Sequence, residues 1–291
     1  MSLCNLYSIL HKAKFEKQAI GAFNVANLEM IRGAIRAAEE LNTPVILQLT
    51  EAWERYAPLE LMAPVMITAA KQAAVDVVVH LDHGRSMDVV IKALQLGFSS
   101  VMLDASHLPL DENIDLVKKM VNIAKEYNAS VEGELGIIGG NEERHTLSEI
   151  QCTRPADVQE FCQQTKVDAL AIAIGNAHGA YNLPPQLHYN VLEECAKLTD
   201  TPLVLHGGSG LLAQDFQKAI SMGITKINIA TASFDSIMQQ IRDIDSLKVG
   251  KDGYFELNEK IVNGTYESVK KHIKIFNRVE IGTDRIGGNE L

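Results

Sequence analysis

Cysteine is scarce in this 291-residue chain, and the four cysteines present lie far apart. They are Cys4, Cys152, Cys162 and Cys195, and no two of them form a CxxC pair. This spacing argues against a disulfide framework and against a zinc site built from thiolates. We expect these thiols to be buried or inert.

Long apolar runs and a basic surface are missing as well. No segment approaches the ~20 apolar residues that cross a bilayer, and the first residues lack the apolar core of a secretory signal. The chain has 27 Lys and Arg against 37 Asp and Glu, a net charge of −10. We therefore expect a cytoplasmic protein without nucleic-acid or membrane partners, in which any anionic ligand is held by local groups.

Short β-branched runs alternate with amphipathic stretches along nearly the whole chain, which is the pattern of repeated βα units. Parallel strands that are buried on both sides have this composition. Eight such units predict an α/β fold, a TIM (β/α)8 barrel formed by one domain over residues 1–291. The predicted strands are Ala19–Asn24, Val45–Thr50, Val77–Asp82, Ser99–Asp104, Ser130–Leu135, Ala169–Ile174, Leu203–His206 and Lys226–Ala230.

Four segments lie outside this repeat. A helix is predicted before the first strand, over Leu3–Phe15, and a helical extension near Leu257–Phe276. The loop Gly136–Ile150 is glycine-jointed and polar at its tip, which is typical of a mobile flap. The last residues, 282–291, are predicted to be a loose tail.

Reactive side chains fall at the carboxyl ends of the predicted strands. In a barrel these ends share one rim, where active sites are built. The residues are Asp82, His83, Asp104, Glu134, His178, His206 and Asn228. Three neutral imidazoles with an open fourth position are a recognised catalytic arrangement for Zn²⁺, so the three histidines predict a zinc site. The alternative is that each histidine only satisfies a hydrogen bond near a turn.

Strand alternation complicates this prediction. Asp82 and His83 are neighbours, and neighbouring side chains of a strand point to opposite faces. Gly84 follows them directly. We expect this glycine to let the chain turn, so that both side chains face inward.

Two short segments lie at the ends of the last two strands, where barrels commonly bind phosphate, and the first of them is rich in glycine. They are His206–Gly210 and Asn228–Thr231. Backbone N–H groups at Gly207 and Gly208 can hold an oxyanion, and Thr231 can cap a helix whose N-terminus points at the same group. The alternative is that these glycines only form tight turns.

Six short motifs, in register over about nine-tenths of the chain, together resemble the class II, metal-dependent ketose-bisphosphate aldolases of the fructose- and tagatose-bisphosphate type. They read LDHG (81–84), DASH (104–107), EGELG (132–136), IGNAHG (174–179), HGGSG (206–210) and NIAT (228–231). The resemblance implies a TIM barrel, a homodimer or homotetramer, and a zinc ion that helps to split a ketose phosphate into dihydroxyacetone phosphate and an aldehyde, glyceraldehyde 3-phosphate for a bisphosphate.

The resemblance also implies roles for individual residues. Asp82 exchanges a proton with the C4 hydroxyl, and Glu142 of the flap moves the proton beside the carbonyl. His83, His178 and His206 bind zinc, while Asp104 and Glu134 hold a second or alternative divalent position. The pocket for dihydroxyacetone phosphate, near which a monovalent cation (Na⁺ or K⁺) is expected, consists of Gly179, Gly207, Gly208, Ser209, Asn228, Ile229, Ala230 and Thr231.

The sequence departs from the family where the distal phosphate is bound. Many fructose-bisphosphate members carry Asp-Pro-Arg before the last helix, and here the corresponding stretch is Gly250–Tyr254, in which Lys251 could substitute for the arginine. The residues after NIAT are Ala232 and Ser233 instead of the usual Glu. The substrate is therefore either a ketose 1,6-bisphosphate or another ketose 1-phosphate without a distal phosphate.

Three other functions remain as alternatives. A Schiff-base aldolase would need a lysine inside the barrel, for which Lys226 is the candidate. A metal-dependent hydrolase would use the same histidines to activate water, although no H-x-H pair lies on the first strand. A binding or regulatory subunit would keep the barrel and lack turnover.

Overall fold

Eight parallel strands pair side by side and close on themselves in the computed structural model, which describes residues 2–140, 151–179, 185–242 and 249–277. The barrel strands, in the order in which they are paired, are β2 (Ile20–Asn24), β3 (Val45–Thr50), β4 (Val77–Gly84), β5 (Ser100–Leu103), β6 (Ser130–Leu135), β8 (Ala169–Ile172), β10 (Leu203–Leu205) and β11 (Ile224–Ile229). Strand β11 then pairs with β2 and completes the ring. The TIM-barrel prediction is confirmed, with strand ends that differ by two residues or fewer from those predicted.

Three short strands lie outside the ring. Strand β1 (Leu3–Cys4) pairs with the start of β4. Strands β7 (Gly139–Gly140) and β9 (Ala177–His178) pair with each other above the rim. The predicted flap, Gly136–Ile150, includes β7, but its residues 141–150 lie outside the described residues, as does the predicted tail.

Ten helices are described, and most of them lie around the barrel. They are α1 (Leu6–Glu16), α2 (Leu28–Glu40), α3 (Leu59–Gln72), α4 (Met87–Gln95), α5 (Leu110–Glu126), α6 (Pro155–Thr165), α7 (Tyr189–Leu198), α8 (Ala213–Ser221), α9 (Thr231–Gln240) and α10 (Lys251–Phe276). Asn27 begins α2 because its side chain accepts a hydrogen bond from Met30 N, and Ser86 begins α4 in the same way through Val89 N. None of the described helices is long and apolar enough to cross a membrane.

The barrel interior changes from apolar to polar along its axis. At the amino end of the strands, Ala22, Ile46, Val78 and Val204 pack against α1, which closes that end. This helix follows a two-residue strand, so the predicted helix over Leu3–Phe15 begins three residues later than expected. The charged side chains and the imidazoles of the interior lie in the middle and at the carboxyl end of the barrel, where the loops gather.

The four cysteines fit the expectation of inert thiols. Cys162 and Cys195 are buried, while Cys4 and Cys152 are half-buried, and all four are free. Burial raises the pKa of Cys195 to about 12 and that of Cys4 to about 11, so neither is a thiolate near neutral pH.

Candidate active site

A pocket opens at the carboxyl end of the barrel and collects most of the reactive residues that the sequence places at strand ends. Its described lining comes from six strands and the segments that follow them. The lining residues are Asn24, Thr50, Asp82, His83, Arg85, His178, Gly179, Gly207, Ser209, Asn228, Ala230 and Thr231.

Three imidazoles meet on one side of this pocket. His83, His178 and His206 each offer one ring nitrogen, and these nitrogens lie within 4.8 Å of one another. The ring centroids of His83 lie 4.9 Å from His178 and 4.6 Å from His206. His178 and His206 follow His83 by 95 and 123 positions in the chain, and the three meet because their strands end at the same rim.

His83 turns inward through its own backbone. Its φ is 47°, in the left-handed region, and the pairing of β4 with β5 shifts register between Leu81 and Gly84. This bulge lets Asp82 and His83 both face the interior. The expectation that Gly84 makes the turn is wrong: its φ is not positive, and it is a glycine because a Cβ there would lie 2.4 Å from Val90 Cγ2 and 2.8 Å from Met102 O.

Carboxylates hold two of the three rings. Asp104 Oδ2 lies 3.1 Å from His83 Nδ1, and Glu132 Oε1 lies 2.8 Å from His206 Nε2. The other nitrogens of the two rings, His83 Nε2 and His206 Nδ1, approach to 2.8 Å and face the cluster. We assign the ring protons to the nitrogens that face the carboxylates, which leaves one lone pair of each ring directed into the cluster.

This donor set fits a divalent metal ion. The three nitrogens are close enough to share one ion, and a carboxylate behind a histidine is the usual partner of a metal-binding imidazole. Burial lowers the pKa of His206 well below its usual range, which keeps the ring neutral, the form that binds metals. A second group consists of His83, Asp104 and Glu134, whose ligand atoms also lie within 4.8 Å of one another.

Asp82 lies beside the histidines and is fixed by three side-chain amides. Asn24 and Gln48 donate to Oδ2 at 2.9 and 3.2 Å, and Asn228 donates to Oδ1 at 3.1 Å. Burial by itself raises the pKa of Asp82, but the neighbouring His83 and the hydrogen bond from Asn24 outweigh it and hold the pKa below its ordinary value. The carboxylate is therefore ionised, oriented by three hydrogen bonds and 3.8 Å from His83 Nε2.

A fully buried polar layer supports the site from below. Glu132 on β6 pairs with Lys226 on β11, with Oε2 2.8 Å from Nζ, and holds His206 through its other oxygen. His80 Nδ1 lies 2.8 Å from Ser100 Oγ, and its Nε2 lies 3.8 Å from Glu132 Oε2. Lys226 is engaged in this layer and does not line the pocket, which removes support for a Schiff-base aldolase.

Another part of the pocket lining is built from backbone and small side chains. A Cβ on Gly207 would lie 2.1 Å from Ala177 O, and the φ of Gly207 is +62°, so no other residue fits there. Gly179, with a φ of +89°, lines the pocket with nothing close to its missing Cβ. Asn228, Ala230 and Thr231 complete this part of the lining, and Thr231 is the first residue of α9. The arrangement offers backbone amides and a helix N-terminus to an anion.

Three details of this part of the lining differ from the sequence prediction. Ser209 caps α9, because its Oγ accepts hydrogen bonds from Ala230 N and Ala232 N at 3.3 and 3.1 Å, a role expected of Thr231. The N–H of Gly208 donates to Asn228 O at 3.0 Å and does not face the pocket. The side chain of Ile229 packs in the hydrophobic core behind the pocket.

Of two other predicted residues, one lies outside the described residues and the other is not brought to the pocket. Glu142 lies outside the described residues. Lys251 is exposed at the start of α10, where its Nζ lies 5.9 Å from the centre of the Phe255 ring, and it is not part of the described lining.

Five residues of the site were not predicted from the sequence: Asn24, Gln48, Thr50, Glu132 and Arg85. Asn24 ends a predicted strand and Gln48 interrupts an apolar one, so strand parity could have indicated both. Glu132 and Glu134 are two residues apart on β6, so their side chains point to the same face, and strand parity could have indicated Glu132 as well. Arg85 lies one residue after β4, beyond the strand ends that were considered.

The chain matches the sequence model of one protein family and is similar to individual proteins of known name. The family model described as "Fructose-bisphosphate aldolase class-II" matches residues 4–280. A probable fructose-bisphosphate aldolase of Bacillus subtilis is 39% identical over 246 residues, which cover 84% of this chain and 86% of that protein. A fructose-bisphosphate aldolase of Staphylococcus aureus is 37% identical over 277 residues, covering 94% of this chain and 96% of the relative.

A solved structure shares the fold over nearly the same extent. The crystal structure of the YdjI aldolase from Escherichia coli K12 superposes with a TM-score of 0.84 and 33% sequence identity, and the match covers 94% of this chain and 97% of that one.

Proposed function

Because this chain belongs to the class II fructose-bisphosphate aldolase family, a family of lyases, we propose that it cleaves a ketose phosphate into dihydroxyacetone phosphate and an aldehyde, and catalyses the reverse condensation. A ketose 1,6-bisphosphate is the first substrate to test, since the relatives are named for fructose bisphosphate. The observation that carries the proposal is a buried carboxylate, Asp82, fixed beside three converging imidazoles.

The metal in this proposal is zinc, held by His83, His178 and His206. A bound divalent ion would act as a Lewis acid that polarises the substrate carbonyl and stabilises the negative charge left by C–C cleavage. Asp104 and Glu134 would hold a second or alternative divalent position, and a monovalent cation, Na⁺ or K⁺, would accompany the phosphate. The chemistry of the donor set supports zinc, since imidazole nitrogens suit this borderline-soft ion.

Asp82 is proposed to take the proton from the C4 hydroxyl during cleavage and to return it during condensation. Its fixed position supports this role, because general-base catalysis requires the acceptor oxygen within hydrogen-bond reach of the hydroxyl. Three amides orient the carboxylate without neutralising it. Glu142 is proposed to move the proton on the carbon next to the carbonyl.

The phosphate of dihydroxyacetone phosphate is proposed to lie against Gly179, Gly207, Ser209 and the N-terminus of α9. Ser209 fixes the first turn of this helix, and the positive end of the helix dipole attracts an anion. This local field would let a chain with a net charge of −10 bind an anionic sugar.

An aldol-cleavage assay with purified protein tests the proposal. Release of triose phosphate from fructose 1,6-bisphosphate, tagatose 1,6-bisphosphate and fructose 1-phosphate would be measured before and after dialysis against a chelator, and then after zinc is returned. We expect activity that is lost with the metal and restored by it. A metal-free protein of undiminished activity would contradict the proposal, and release of a hydrolysis product would indicate the metal-dependent hydrolase.

Two variants separate metal binding from proton transfer. Asp82→Asn should keep bound zinc and lose about 10²- to 10⁴-fold in kcat. His206→Ala should lose both zinc and turnover. An Asp82→Asn enzyme of normal rate would remove the proposed role of Asp82. Cleavage by the unaltered chain also decides against a silent regulatory subunit, and light scattering would test the homodimer or homotetramer that we propose for this cytoplasmic enzyme.

A further inference from the structure

Arg85 is a cation at the pocket that neither the proposed metal site nor the proposed phosphate site uses. It directly follows β4, three residues after Asp82, and its half-buried side chain lines the pocket. No other Lys or Arg of the described chain is part of this lining. In an acidic protein, a single arginine at the mouth of a ligand pocket selects for anions locally.

The topology places Arg85 across the mouth from the proposed phosphate site. From β4 to β10 there are four steps around the barrel in one direction, through β3, β2 and β11, and four in the other, through β5, β6 and β8. Gly207 and Ser209 follow β10, so they and Arg85 lie at opposite points of an eight-stranded ring. Asp82, His83 and His178 line the same pocket with them.

The backbone of Arg85 is held from a neighbouring strand. Its N–H donates to Glu51 Oε2 at 2.7 Å, and Glu51 begins the 3₁₀ turn Glu51–Trp53 directly after β3. This hydrogen bond fixes the backbone of Arg85 at the rim. A fixed Cα and a long side chain suit recognition of a group that lies beyond the reacting carbons.

The geometry points to Arg85 as the residue that selects the distal end of the substrate, where it binds an anionic group. This inference rests on the proposed function. A ketose anchored by its 1-phosphate beside Gly207 and Ser209 extends past Asp82, which serves C4, and its far end then reaches the side of the pocket where β4 ends. The planar guanidinium donates two parallel hydrogen bonds to a phosphate or a carboxylate, which an ammonium cannot do.

Condensation assays test this inference, because the donor stays the same while the charge of the acceptor varies. Dihydroxyacetone phosphate would be combined with D-glyceraldehyde 3-phosphate, with succinic semialdehyde and with neutral D-glyceraldehyde. The first two acceptors distinguish a distal phosphate from a distal carboxylate. We expect the unaltered chain to prefer at least one anionic acceptor over the neutral one.

Arg85→Met should lower kcat/KM about 10- to 100-fold for the preferred anionic acceptor and change it less than about threefold for D-glyceraldehyde. Arg85→Lys keeps the charge and most of the length, and it should recover part of the preference. Arg55→Met is the matched control, since Arg55 is exposed on the loop after the 3₁₀ turn and is not part of the lining. Circular dichroism and zinc content would confirm that each variant is folded and loaded.

Several outcomes would overturn the inference. One is an equal loss for all three acceptors, which indicates a structural role. Another is an unchanged preference in Arg85→Met, or a loss that appears in Lys251→Met instead. Absence of a preference in the unaltered chain would also contradict the inference while leaving aldol activity intact, whereas failure with every acceptor would contradict the proposed function itself.

Discussion

The buried pair of Glu132 and Lys226 gives the sharpest test of how the barrel interior supports the proposed metal site. Both side chains are fully buried, their charged atoms lie 2.8 Å apart, and the second oxygen of Glu132 holds His206 Nε2 at the same distance. Removing one charge leaves the other without its partner in the interior, which costs about 3–5 kcal/mol.

Lys226→Met is the first perturbation. It leaves Glu132 with His206 as its remaining strong partner, and the carboxylate can then reorient or take up a proton. At about 2–4 °C for each kcal/mol, we expect the thermal midpoint of the metal-free protein to fall on the order of 10 °C. Loss of a carboxylate orientation behind a metal-binding imidazole typically lowers metal affinity about 10- to 100-fold, and we expect a decrease of that size for zinc.

The double variant Glu132→Gln, Lys226→Met distinguishes the pair from its single charges. Glutamine keeps an oxygen that accepts the proton of His206 Nε2, and methionine fills the space of the lysine stem, so no unpaired charge remains. We expect the double variant to be more stable than either single variant and to regain most of the zinc affinity. Thermal melting and competition with a chromophoric chelator would measure the two quantities. Additive losses would refute the coupling of these residues.

Three further predictions follow from other parts of the structure. Gly207→Ala should be more destabilising than Gly250→Ala by thermal melting, because both glycines have positive φ values but only Gly207 would place a Cβ 2.1 Å from a backbone oxygen; equal losses would show that φ alone matters. Ser209→Ala should cost about 1 kcal/mol and weaken phosphate binding, because the cap of α9 is lost; unchanged stability and an unchanged KM for the sugar phosphate would contradict this. His272 is buried, which lowers its pKa to about 4 from the ordinary value of about 6.5. As the pH falls, the unfolded chain therefore binds the proton before the folded chain does, and about 3 kcal/mol of stability is lost between about pH 6.5 and about pH 4. Melting curves of His272→Leu should show a shallower loss over this range, and a slope equal to that of the unaltered chain would refute the assignment.

The sequence predicts the barrel and the membership of the site for a common physical reason. Parallel strands are buried on both faces, so they appear as short β-branched runs, and their carboxyl ends meet at one rim. The convergence of His83, His178 and His206 therefore follows from counting strands, without knowledge of any distance. The residues that follow each predicted strand in the sequence are therefore the residues of the rim.

The residues that were missed or misplaced depend on three-dimensional relations that spacing does not contain. His83 points inward because its own backbone is left-handed, and no sequence pattern marks a non-glycine residue that adopts this conformation. The cap of α9 comes from Ser209, which follows a different strand from the one that leads into the helix. Lys251 is the first residue of α10 and is exposed on the surface. The sequence does not show in which direction the first turn of this helix points its side chains.

The polar layer beneath the site explains why the interior is not uniformly apolar. A barrel of this size is stable when its inner side chains are apolar, as they are next to α1. Replacing part of that interior by Glu132, Lys226 and His80 adds desolvation costs, which apolar residues would avoid. The layer gives His206 a fixed proton and a fixed ring direction, and neither can be supplied from the open side of the pocket without blocking it. The polar layer therefore lowers the stability of the barrel while it orients the imidazole of His206. The double variant Glu132→Gln, Lys226→Met measures the coupling between these two effects.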